Sequence, residues 1–321
     1  MILTLTANPS LDRTIDLQAP LQVGGVHRIG ADRTQVGGKG VNVALGLARA
    51  GVDTLALVPV GAHDPYLQLL DEAGLPHRAS EVAGAVRTNL TVLSAPNVTT
   101  KINEPGSPVT AQEVAAVEAA LLDAAGEGDA VMLSGSLAPG FPVDWYARMV
   151  RLLHERGLWA GVDTSDAPLT ALAAAWAEDP ACAPDLLKPN AEELGQLTGQ
   201  DGLALESSAE QGELGPVREA ALTLQAQGVG AVLVTLGGAG AVLATADGCW
   251  YSPTVRGPVV STVGAGDSAT AGFLIARESG QDEAGQLARA VAYGTAAVGL
   301  PGTTIPRPEQ ARVHPESVRP L

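Results

Sequence analysis

The sequence predicts an α/β fold in which helices cover both faces of a mostly parallel β-sheet. Short apolar runs alternate along the chain with longer segments rich in alanine, leucine and glutamate. This repeated order of strand and helix is typical of parallel sheets. The apolar runs also lack the polar alternation of strands that face solvent on one side. Both faces of each strand are therefore expected to lie beneath helices.

The predicted elements follow one another in a regular order. Strands of the large sheet are predicted at 2–6, 54–58, 130–134, 159–163, 186–187 and 231–236, and helices at 40–50, 65–73, 111–125, 143–156, 191–198, 214–227 and 269–277. The uncharged stretch 220–246 is long enough for a membrane helix, but its glycines and β-branched residues favour a buried strand. Residues 301–321 are expected to be peripheral.

Two segments, 13–36 and 84–104, break this order. They contain alternating stretches at 26–29 and 88–92 without a helical period, and so predict strands of a small separate sheet. Ordinary surface hairpins are the alternative. Ligands bind at the carboxyl edge of open parallel sheets, so a lid over that edge is the expected position. The chain is predicted to form a single domain, 1–321, with this discontinuous β lid.

Composition and charge exclude several classes of function. The chain has 321 residues with 35 acidic and 19 basic side chains, giving a formal net charge of −16. Such a charge repels phosphate backbones and lipid headgroups, so no general binding to nucleic acid or membrane surfaces is expected. Cys182 and Cys249 cannot form a disulfide framework, and the histidines are too scattered for structural zinc. No basic segment precedes the apolar N-terminus, so a cytoplasmic location is expected.

The most informative motif is Thr-Val-Gly-Ala-Gly-Asp-Ser at 262–268, directly before a predicted helix. Its glycines allow the amides at the helix start to converge on an anion, so Gly264, Ala265 and Gly266 are candidate ligands of a phosphoryl group. Asp267 is then a candidate general base for an attacking hydroxyl. The alternative is an acidic residue favoured in the first turn by the helix dipole.

A second glycine turn, Gly-Gly-Lys-Gly-Val-Asn at 37–42, also leads into a predicted helix. It is not a Walker A motif, which needs Gly-x4-Gly-Lys followed by serine or threonine. One interpretation is close packing of a turn. The other is close approach of the backbone to a ligand, with Lys39 and Asn42 directed to the same site.

Lysine is rare in this chain. Only three of the 19 basic residues are lysines, Lys39, Lys101 and Lys188, and each occurs in a polar motif marked by glycine or proline. A compact point charge suits phosphate at such places. With Arg87 of the predicted small sheet, they indicate a positively lined cleft and hence an anionic substrate.

The motif Lys-Pro-Asn-Ala-Glu-Glu starts at Lys188, where a predicted strand leads into a helix. Asn190 and Glu193 have the spacing of a capping box. They could equally organise a hydrated Mg²⁺ ion beside nucleotide phosphates. The spacing alone does not decide between these interpretations.

Two further strand ends carry glycines, at 134–140 and 235–240, and either could be a simple turn. Together they suit a nucleotide that lies along the sheet edge. Asp12, shortly after the first strand, is either a turn residue or a partner for substrate hydroxyls.

Five motifs, in this order, resemble those of the ribokinase-like (PfkB-type) sugar kinases over about residues 1–305: Asn-Pro-Ser-Leu-Asp (8–12), Gly-Gly-Lys-Gly-Val-Asn (37–42), Ser-Gly-Ser-Leu (134–137), Lys-Pro-Asn-x-x-Glu (188–193) and Thr-Val-Gly-Ala-Gly-Asp-Ser (262–268). The segments 100–106 and 261–268 are most similar to the bacterial 1-phosphofructokinase branch, to which the tagatose-6-phosphate kinases are close. Two local departures are Ala138, where the family commonly has proline, and the Gly-Gly-Ala-Gly at 237–240.

The resemblance implies a three-layer α/β/α domain with a β lid, and ATP- and Mg²⁺-dependent phosphorylation of fructose 1-phosphate at O6. It implies a homodimer formed through the lid. By the resemblance, Asp267 is the general base, and the amides of Gly264, Ala265 and Gly266 form the anion hole. The residues implied to bind the sugar are Asp12, Gly37, Gly38, Lys39, Asn42 and Ser136, and those implied to bind its phosphate are Arg87 and Lys101. ATP binding is implied for Lys188, Asn190, Thr235, Gly237 and Gly240, and water-mediated Mg²⁺ binding for Glu193.

Several alternatives remain beside this expectation. A kinase acting at O1 of a ketose 6-phosphate, such as tagatose-6-phosphate kinase or 6-phosphofructokinase, would use the same residues. A nucleoside kinase has no need of Arg87 and Lys101. An NAD-dependent oxidoreductase needs Gly-x-Gly-x-x-Gly after its first strand, where this chain has Asn8-Pro9-Ser10. A non-catalytic sensor of sugar phosphates is remote, because Asp267 and Glu193 are both present.

Overall fold

The computed structural model describes residues 1–95, 98–126, 130–255 and 257–321. They form two sheets and the helices around the larger one. The strands of the large sheet are β1 (Ile2–Thr6), β4 (Thr54–Val60), β5 (His77–Glu81), β8 (Ala130–Ser134), β9 (Trp159–Asp163), β10 (Leu186–Leu187), β11 (Ala231–Thr235), β12 (Ala241–Thr245), β13 (Gly248–Ser252) and β14 (Arg319–Pro320). The strands of the small sheet are β2 (Ser10–Leu17), β3 (Ala31–Gly37), β6 (Arg87–Ser94) and β7 (Val98–Asn103).

The α-helices follow the strands in the alternation that the sequence predicts. They are α1 (Lys39–Arg49), α2 (Pro65–Glu72), α3 (Ala111–Ala124), α4 (Trp145–His154), α5 (Asp166–Glu178), α6 (Ala191–Thr198), α7 (Gly202–Glu210), α8 (Gly215–Ala226), α9 (Ala265–Glu278) and α10 (Glu283–Val298). In the described part of the chain, no helix combines the length and the apolar character needed to cross a bilayer.

The large sheet has the order β14-β13-β12-β11-β10-β9-β8-β1-β4-β5. Strands β5 to β11 in this order are parallel, and β12, β13 and β14 extend one edge in antiparallel pairing. From β1 the chain crosses to β4 on one side and later to β8 on the other. The strand order therefore reverses at β1, and a ligand crevice is expected outside the carboxyl ends of these strands.

Both faces of the large sheet are buried. In β1, Leu3 and Leu5 pack into a core with helices α3 to α6 and α8, whereas Ile2 packs on the opposite face with α1, α9 and α10. A strand buried on both sides accounts for the unbroken apolar runs in the sequence. The expected three-layer arrangement with a mostly parallel central sheet is confirmed.

The small sheet has the order β3-β2-β6-β7 and is separate from the large one. Strand β2 pairs with β3 in antiparallel and with β6 in parallel orientation, and β6 pairs with β7 in antiparallel orientation. A second, smaller sheet was expected, and the structure confirms it. That the chain is one domain stays a prediction.

Some expectations about local structure are wrong. The alternating stretch 26–29 is not a strand but part of the connection between β2 and β3, where Val23 and Val26 are 103% and 91% exposed. Their apolar side chains have no sheet face to cover, so alternation alone is insufficient evidence for a strand. Residues 301–321 are not peripheral, because Ile305 is buried and β14 pairs with β13.

Other elements were not anticipated from the sequence. These are β5, the hairpin of β12 and β13, and helices α5, α7 and α10. The predicted helix 269–277 begins earlier, at Ala265, and the remaining predicted helices agree within one or two residues at each end.

Candidate active site

The candidate site lies along the carboxyl ends of the central strands. Ser134 ends β8 opposite Asp163, which ends β9, and Lys188 follows β10 with its amide donating to the Val162 carbonyl at 3.2 Å. Asn190 forms a parallel bridge with Thr235 at the end of β11. The parallel register therefore brings residues from the ends of four strands, β8 to β11, to one edge of the sheet.

The N-terminus of α9 supplies open backbone donors at this edge. Gly264 occupies the N-cap position with φ of 78°, a left-handed conformation that glycine adopts without strain, and no side chain caps the helix. By contrast, Asp282 caps α10 through the amide of Gly285. The first amides of α9 consequently lack a side-chain acceptor and, together with the helix dipole, can bind an anion.

Helix α1 starts beside α9 and packs closely against it. A Cβ on Gly46 would stand only 2.6 Å from the Cβ of Ala271, so glycine permits the helices to approach at this point. One turn earlier on each helix, Asn42 Nδ2 donates to Asp267 Oδ2 at 2.7 Å. The close helix crossing thus fixes the orientation of the Asp267 carboxylate.

Asp163 is the centre of the charges at this site. It is fully buried, with Lys39 Nζ at 2.7 Å from Oδ1 and Lys188 Nζ at 3.3 Å from Oδ2. Lys188 is itself buried, and its Nζ is 3.4 Å from the Cβ position of Gly266 in the first turn of α9. We refer to Lys39, Asp163, Lys188 and Asp267 as the central cluster.

The protonation preferences in the central cluster follow from burial and neighbouring charges. Burial would raise the pKa of Asp163, but Lys188 and Lys39 outweigh it and hold this pKa below its usual value. Burial opposes the charge of Lys39, yet Asp163 and Asp267 raise the pKa of this ammonium. These shifts favour the ammonium form of Lys39 beside the ionised carboxylate of Asp163.

Asp267 differs from Asp163 in the direction of its pKa shift. Its pKa is raised, first by burial and then by the charge of Asp163, against the opposing effects of Lys39 and Asn42. A carboxylate with a raised pKa accepts a proton more readily than an exposed one, as a general base requires. Asn42 Oδ1 is buried without a hydrogen-bond partner among the described residues, and so can accept from a bound hydroxyl.

The geometry of Asn190 and Glu193 fits both a capping box and a role beside a hydrated Mg²⁺ ion. Glu193 Oε2 accepts from the Asn190 amide at 2.8 Å, and Asn190 Oδ1 accepts from the Glu193 amide at 2.8 Å, which is a complete capping box. Glu193 is also buried, and burial raises the pKa of its carboxyl group.

A magnesium site at Glu193 would need ligands from outside the protein. Among the residues that the structure describes, no three histidine, cysteine, aspartate or glutamate side chains are grouped as metal ligands. One carboxylate beside a phosphate-binding edge fits Mg²⁺, which usually keeps several waters and binds phosphate oxygens.

The glycine turn after β11 also borders this edge. Gly237 and Gly240 both have positive φ, and a Cβ on Gly240 would stand 2.1 Å from the Ser252 carbonyl oxygen. Only glycine fits there, because the turn packs against the end of β13.

A cavity of about 330 Å³, which the sequence did not indicate, lies beyond this turn. It is lined by the end of β13, the loop after it, one side of α10 and the C-terminal segment. A Cβ on Gly294 of α10 would stand 3.3 Å from the Ala265 carbonyl oxygen, so α10 packs closely against the start of α9. The hydroxyl of Thr295, which lines the cavity, is buried without a partner among the described residues.

The register of the small sheet gathers polar side chains on one face. Asp12 pairs with Gln35 on one side and Asn89 on the other, and alternate residues along each strand share their orientation. We call this surface the inner lid face; it contains Ser10, Asp12, Thr14, Arg33, Gln35, Arg87, Asn89, Thr91, Lys101 and Asn103. Arg33 was not singled out from the sequence, although the alternation places it beside Thr14.

Asp12 is held in place within the inner lid face. Its Oδ1 accepts from Ser10 Oγ at 2.8 Å and from Asn89 Nδ2 at 3.2 Å. A Cβ on Gly37 would stand 2.3 Å from the carboxyl carbon, so glycine at 37 leaves the space for this carboxylate. Burial raises the pKa of Asp12, against the hydrogen bonds and the charge of Arg87.

The other residues predicted to bind the sugar have different surroundings. Ser136 Oγ accepts from Asn8 Nδ2 at 3.3 Å, and Gly38 has φ of 111° and packs against Thr6 at the end of β1. Arg87 Nη1 donates to the Glu104 carbonyl at 3.0 Å, whereas Lys101 is exposed on β7. Lys101 therefore makes no contact with the rest of the candidate site among the residues that the structure describes.

Comparison with known proteins identifies the family. The family model described as "pfkB family carbohydrate kinase" matches residues 5–310. The chain belongs to this family. It is a sugar-phosphate kinase, and ATP use follows from the family. The 1-phosphofructokinase of Rhodobacter capsulatus is 34% identical over 313 residues, covering 96% of this chain and 94% of that protein. The 1-phosphofructokinase of Haloferax volcanii is 36% identical over 310 residues, covering 95% and 93%.

The fold comparison agrees with this assignment. The crystal structure of phosphofructokinase-2 from Escherichia coli, in complex with substrates and products, aligns with a TM-score of 0.86 at 27% identity. The alignment covers 97% of this pfkB-family chain and 96% of the other. Ribokinase from Arabidopsis thaliana, at 20% identity and a TM-score of 0.71, shares the fold. The ribokinase-like fold expected from the motifs is confirmed.

Proposed function

We propose that this chain transfers the γ-phosphoryl group of ATP to O6 of fructose 1-phosphate, giving fructose 1,6-bisphosphate and ADP. The observation that carries the proposal is the position of buried Asp267 directly after the open amides of Gly264 to Gly266, beside the two lysines of the central cluster. The near full-length matches to proteins named 1-phosphofructokinase support the choice of acceptor.

Asp267 acts as the general base in this proposal. It takes the proton of the O6 hydroxyl as that oxygen attacks the γ-phosphorus, and the bond to the β-phosphate oxygen breaks. Its raised pKa favours proton uptake, and Asn42 holds the other carboxylate oxygen. The unpaired Oδ1 of Asn42 is directed to a sugar hydroxyl.

The amides of Gly264, Ala265 and Gly266 bind the transferring phosphoryl group. Its transition state is loose and spreads negative charge over the equatorial oxygens, so positioned donors and cations stabilise it. Lys188 lies beside Gly266 and adds a positive charge there. Asp163 holds this lysine and Lys39 in place, one on each carboxylate oxygen.

The phosphosugar occupies the space between the central cluster and the inner lid face. Asp12 accepts from its hydroxyl groups, and Arg87 and Lys101 bind its existing phosphate. The remaining sugar-binding residues are Gly37, Gly38, Lys39, Asn42 and Ser136.

ATP extends from the anion-binding turn along the sheet edge. Lys188, Asn190, Thr235, Gly237 and Gly240 line its phosphates and ribose. The cavity beside α10 has room for a purine base, and the free hydroxyl of Thr295 offers it a hydrogen bond. Glu193 would hold a hydrated Mg²⁺ ion, which would neutralise charge on the phosphate oxygens.

The test is a comparison of ADP release with fructose 1-phosphate, fructose 6-phosphate and tagatose 6-phosphate under identical conditions. We expect the highest kcat/KM with fructose 1-phosphate, and a phosphorus NMR spectrum of the product that shows phosphate on C1 and C6. A higher kcat/KM with either 6-phosphate would overturn the assignment of the acceptor. No turnover with any of them would favour the sensor alternative.

The second candidate is phosphorylation at O1 of a ketose 6-phosphate. One observation favours it: phosphofructokinase-2 of Escherichia coli, solved in complex with fructose-6-phosphate, aligns with a TM-score of 0.81 at 28% identity. Because the ketose bisphosphate product is nearly symmetric, the same cleft could hold either of its two phosphates at the lid.

We also propose that the chain forms a homodimer through the lid. Strands β3 and β7 are the edges of the small sheet, and Val98 and Ile102 on β7 are exposed. An exposed strand edge with apolar side chains is suited to pairing with another sheet. Sedimentation equilibrium tests this, and a monomer at micromolar concentration would contradict it.

A further inference from the structure

Three of the four tyrosines of the chain hold a glycine turn that borders the candidate site. Their hydroxyls donate to the carbonyls of these turns: Tyr66 of α2 to Gly37 at 2.6 Å, Tyr146 of α4 to Gly135 at 2.8 Å, and Tyr251 of β13 to Ala239 at 2.6 Å. The three tyrosines belong to different elements, so each turn is held from a different part of the molecule.

The three phenols are suited to this role. Burial raises the pKa of Tyr66, Tyr146 and Tyr251, so each hydroxyl keeps its proton and donates it. A tyrosine side chain has two χ angles, so little conformational entropy is lost when its hydroxyl is fixed. Glycine adopts many backbone conformations, and a hydrogen bond from outside the turn restricts them.

The lid turn, residues 37–38, joins β3 of the small sheet to α1. Gly38 has φ of 111°, and the carboxyl carbon of Asp12 lies 2.3 Å from where a Cβ on Gly37 would stand. Tyr66 is 0% exposed and belongs to the same hydrophobic cluster as Val36, directly before the turn. Its hydroxyl therefore ties to the core the turn on which the Asp12 carboxylate rests.

The start of α2 also holds the second strand of the lid. Asp64 Oδ2 accepts from the amide of Val86, directly before Arg87 at the start of β6, at 2.9 Å. Its Oδ1 accepts from the Tyr66 amide at 2.9 Å and so caps α2. Tyr66 consequently acts from a segment that is hydrogen-bonded to the ends of both β3 and β6.

The β11 turn, residues 237–240, is held by β13 and the residues that follow it. The Tyr251 hydroxyl donates to the Ala239 carbonyl, and Thr254 Oγ1 donates to the Gly238 carbonyl at 2.6 Å. The turn also packs against the end of β13, which lines the cavity beside α10. Its position is thus fixed relative to the cavity that is proposed to bind the base of ATP.

The hydroxyl of Tyr146 has a substitute. The Gly135 carbonyl also accepts from Thr164 Oγ1 at 2.9 Å, so it keeps a donor when Tyr146 is changed. The turn after β8 is therefore less dependent on its tyrosine than the lid turn and the β11 turn are.

We propose that Tyr66 and Tyr251 are positioning residues for the two substrates, Tyr66 for the phosphosugar through the lid turn and Tyr251 for MgATP through the β11 turn. The inference rests on the proposed function, because Asp12 and the lid turn are taken to bind the sugar and the β11 turn to bind ATP. Neither tyrosine is assigned a step of phosphoryl transfer.

The first test compares Tyr66→Phe with Tyr251→Phe, since phenylalanine keeps the ring and removes only the hydroxyl. Tyr66→Phe should raise KM for the phosphosugar about 5–10-fold, as loss of one hydrogen bond does, and leave KM for MgATP unchanged. Tyr251→Phe should raise only KM for MgATP, by about 3-fold, because Thr254 still holds its turn. In both variants kcat should stay near the wild-type value, since Asp267 is untouched.

The matched control is Tyr293→Phe. The Tyr293 hydroxyl is buried without a hydrogen-bond partner among the described residues, so its removal should leave both KM values unchanged. If Tyr66→Phe and Tyr251→Phe each raise both KM values equally, or lower only the free energy of unfolding, the hydroxyls serve stability alone and the inference is overturned.

The second test observes the turns without ligand. Amide hydrogen exchange, measured by mass spectrometry, should be faster in Tyr66→Phe for peptides that cover 37–41, and faster in Tyr251→Phe for peptides that cover 237–241. Each variant should leave exchange in the other turn as in the wild type. Exchange that is unchanged in both variants would overturn the inference.

The tests separate this inference from the proposed function. If the wild type phosphorylates no phosphosugar, the proposed function fails, and calorimetry with MgADP then decides for Tyr251. Weaker MgADP binding in Tyr251→Phe but not in Tyr66→Phe supports the inference, and equal binding overturns it. If the wild type is active but neither variant changes the KM of its own substrate, the inference is wrong although the function stands.

Discussion

The central cluster and the inner lid face differ in whether their charged side chains have partners within the protein. In the central cluster, Asp163 is 0% and Lys188 4% exposed, and the charges neutralise one another at distances of 2.7–3.3 Å. On the inner lid face, Lys101 has no such partner among the described residues and remains exposed. The cluster is therefore organised before any ligand arrives, whereas Lys101 offers a ligand a charge without a partner in the described part of the chain. Substitutions in the two regions should accordingly affect different measured quantities.

The largest expected effect on rate is that of Asp267→Asn. Because the amide cannot accept the hydroxyl proton, kcat should fall by about 10²–10⁴-fold while KM for both substrates changes little. Steady-state kinetics measure this. The control is Asp282→Asn, the same change at the N-cap of α10, where asparagine also caps a helix. A near wild-type kcat in Asp267→Asn would remove Asp267 from the role of base.

The largest expected effect on stability is that of Asp163→Asn. The change leaves buried Lys188 and partly exposed Lys39 without their nearest counter-charge, which should lower the free energy of unfolding by about 3–5 kcal/mol. Denaturant titration measures it.

The matched control for Asp163→Asn is Asp123→Asn, which removes an exposed ion pair with Arg78 at 2.8 Å. That change should cost no more than about 1 kcal/mol. If the two variants lose equal stability, the cluster is not preorganised in the way described here.

The lid should respond to Lys101→Ala through binding alone. Loss of one charge-assisted contact with the sugar phosphate should raise its KM by about 10-fold, with kcat and KM for MgATP unchanged. The effect should shrink as salt is added, since Lys101 is exposed. Arg13→Ala on the opposite face of β2, where Arg13 pairs with Asp32 at 2.7 Å, serves as control. An unchanged phosphosugar KM in Lys101→Ala would exclude this lysine from the site.

The smallest expected effect lies outside both regions, at His154. Its Nε2 is 3.0 Å from Asp185 Oδ2 and its Nδ1 is 2.9 Å from the Ala181 carbonyl oxygen, so both ring nitrogens face acceptors. The hydrogen bond to Asp185 is the main cause that raises the pKa of His154. Its stabilisation is therefore complete below the ordinary histidine pKa and is lost as the pH rises through the raised value.

The His154 effect is measured as the pH dependence of unfolding free energy between pH 5 and 8. His154→Gln should remove a pH-dependent contribution below about 1 kcal/mol; His63→Gln, the same change at an exposed position, is measured beside it. Identical pH profiles for wild type and His154→Gln would disprove the assignment.

The sequence predicts the framework of this molecule well because each strand at its centre is buried on both faces. It predicts the glycine turns for a similar reason: Gly38 and Gly264 need conformations that other residues rarely adopt. Residues whose role depends on distant neighbours could not be found in this way. Asp163 ends a predicted strand, but only the sheet order places it between Lys39 and Lys188.

The C-terminal segment was misjudged for a related reason. Its prolines suggested a loose tail, but Ile305 packs against α1, and residues around Arg312 line the cavity beside α10. Such contacts join residues far apart in the chain and leave no local periodicity. The sequence therefore indicated the glycine turns of the candidate site and missed the wall of the cavity beside α10.

The scarcity of lysine has a practical consequence for protein chemistry. Apart from the α-amino group, every primary amine of the chain belongs to the candidate site: Lys188 is buried, Lys39 is bound to Asp163, and Lys101 stands exposed on the lid. Beside the α-amino group, Lys101 is therefore the expected attachment point for amine-reactive dyes, biotin esters and activated resins. Protection of Lys101 from acylation by an added ligand would map occupancy of the cleft with an ordinary mass spectrometer.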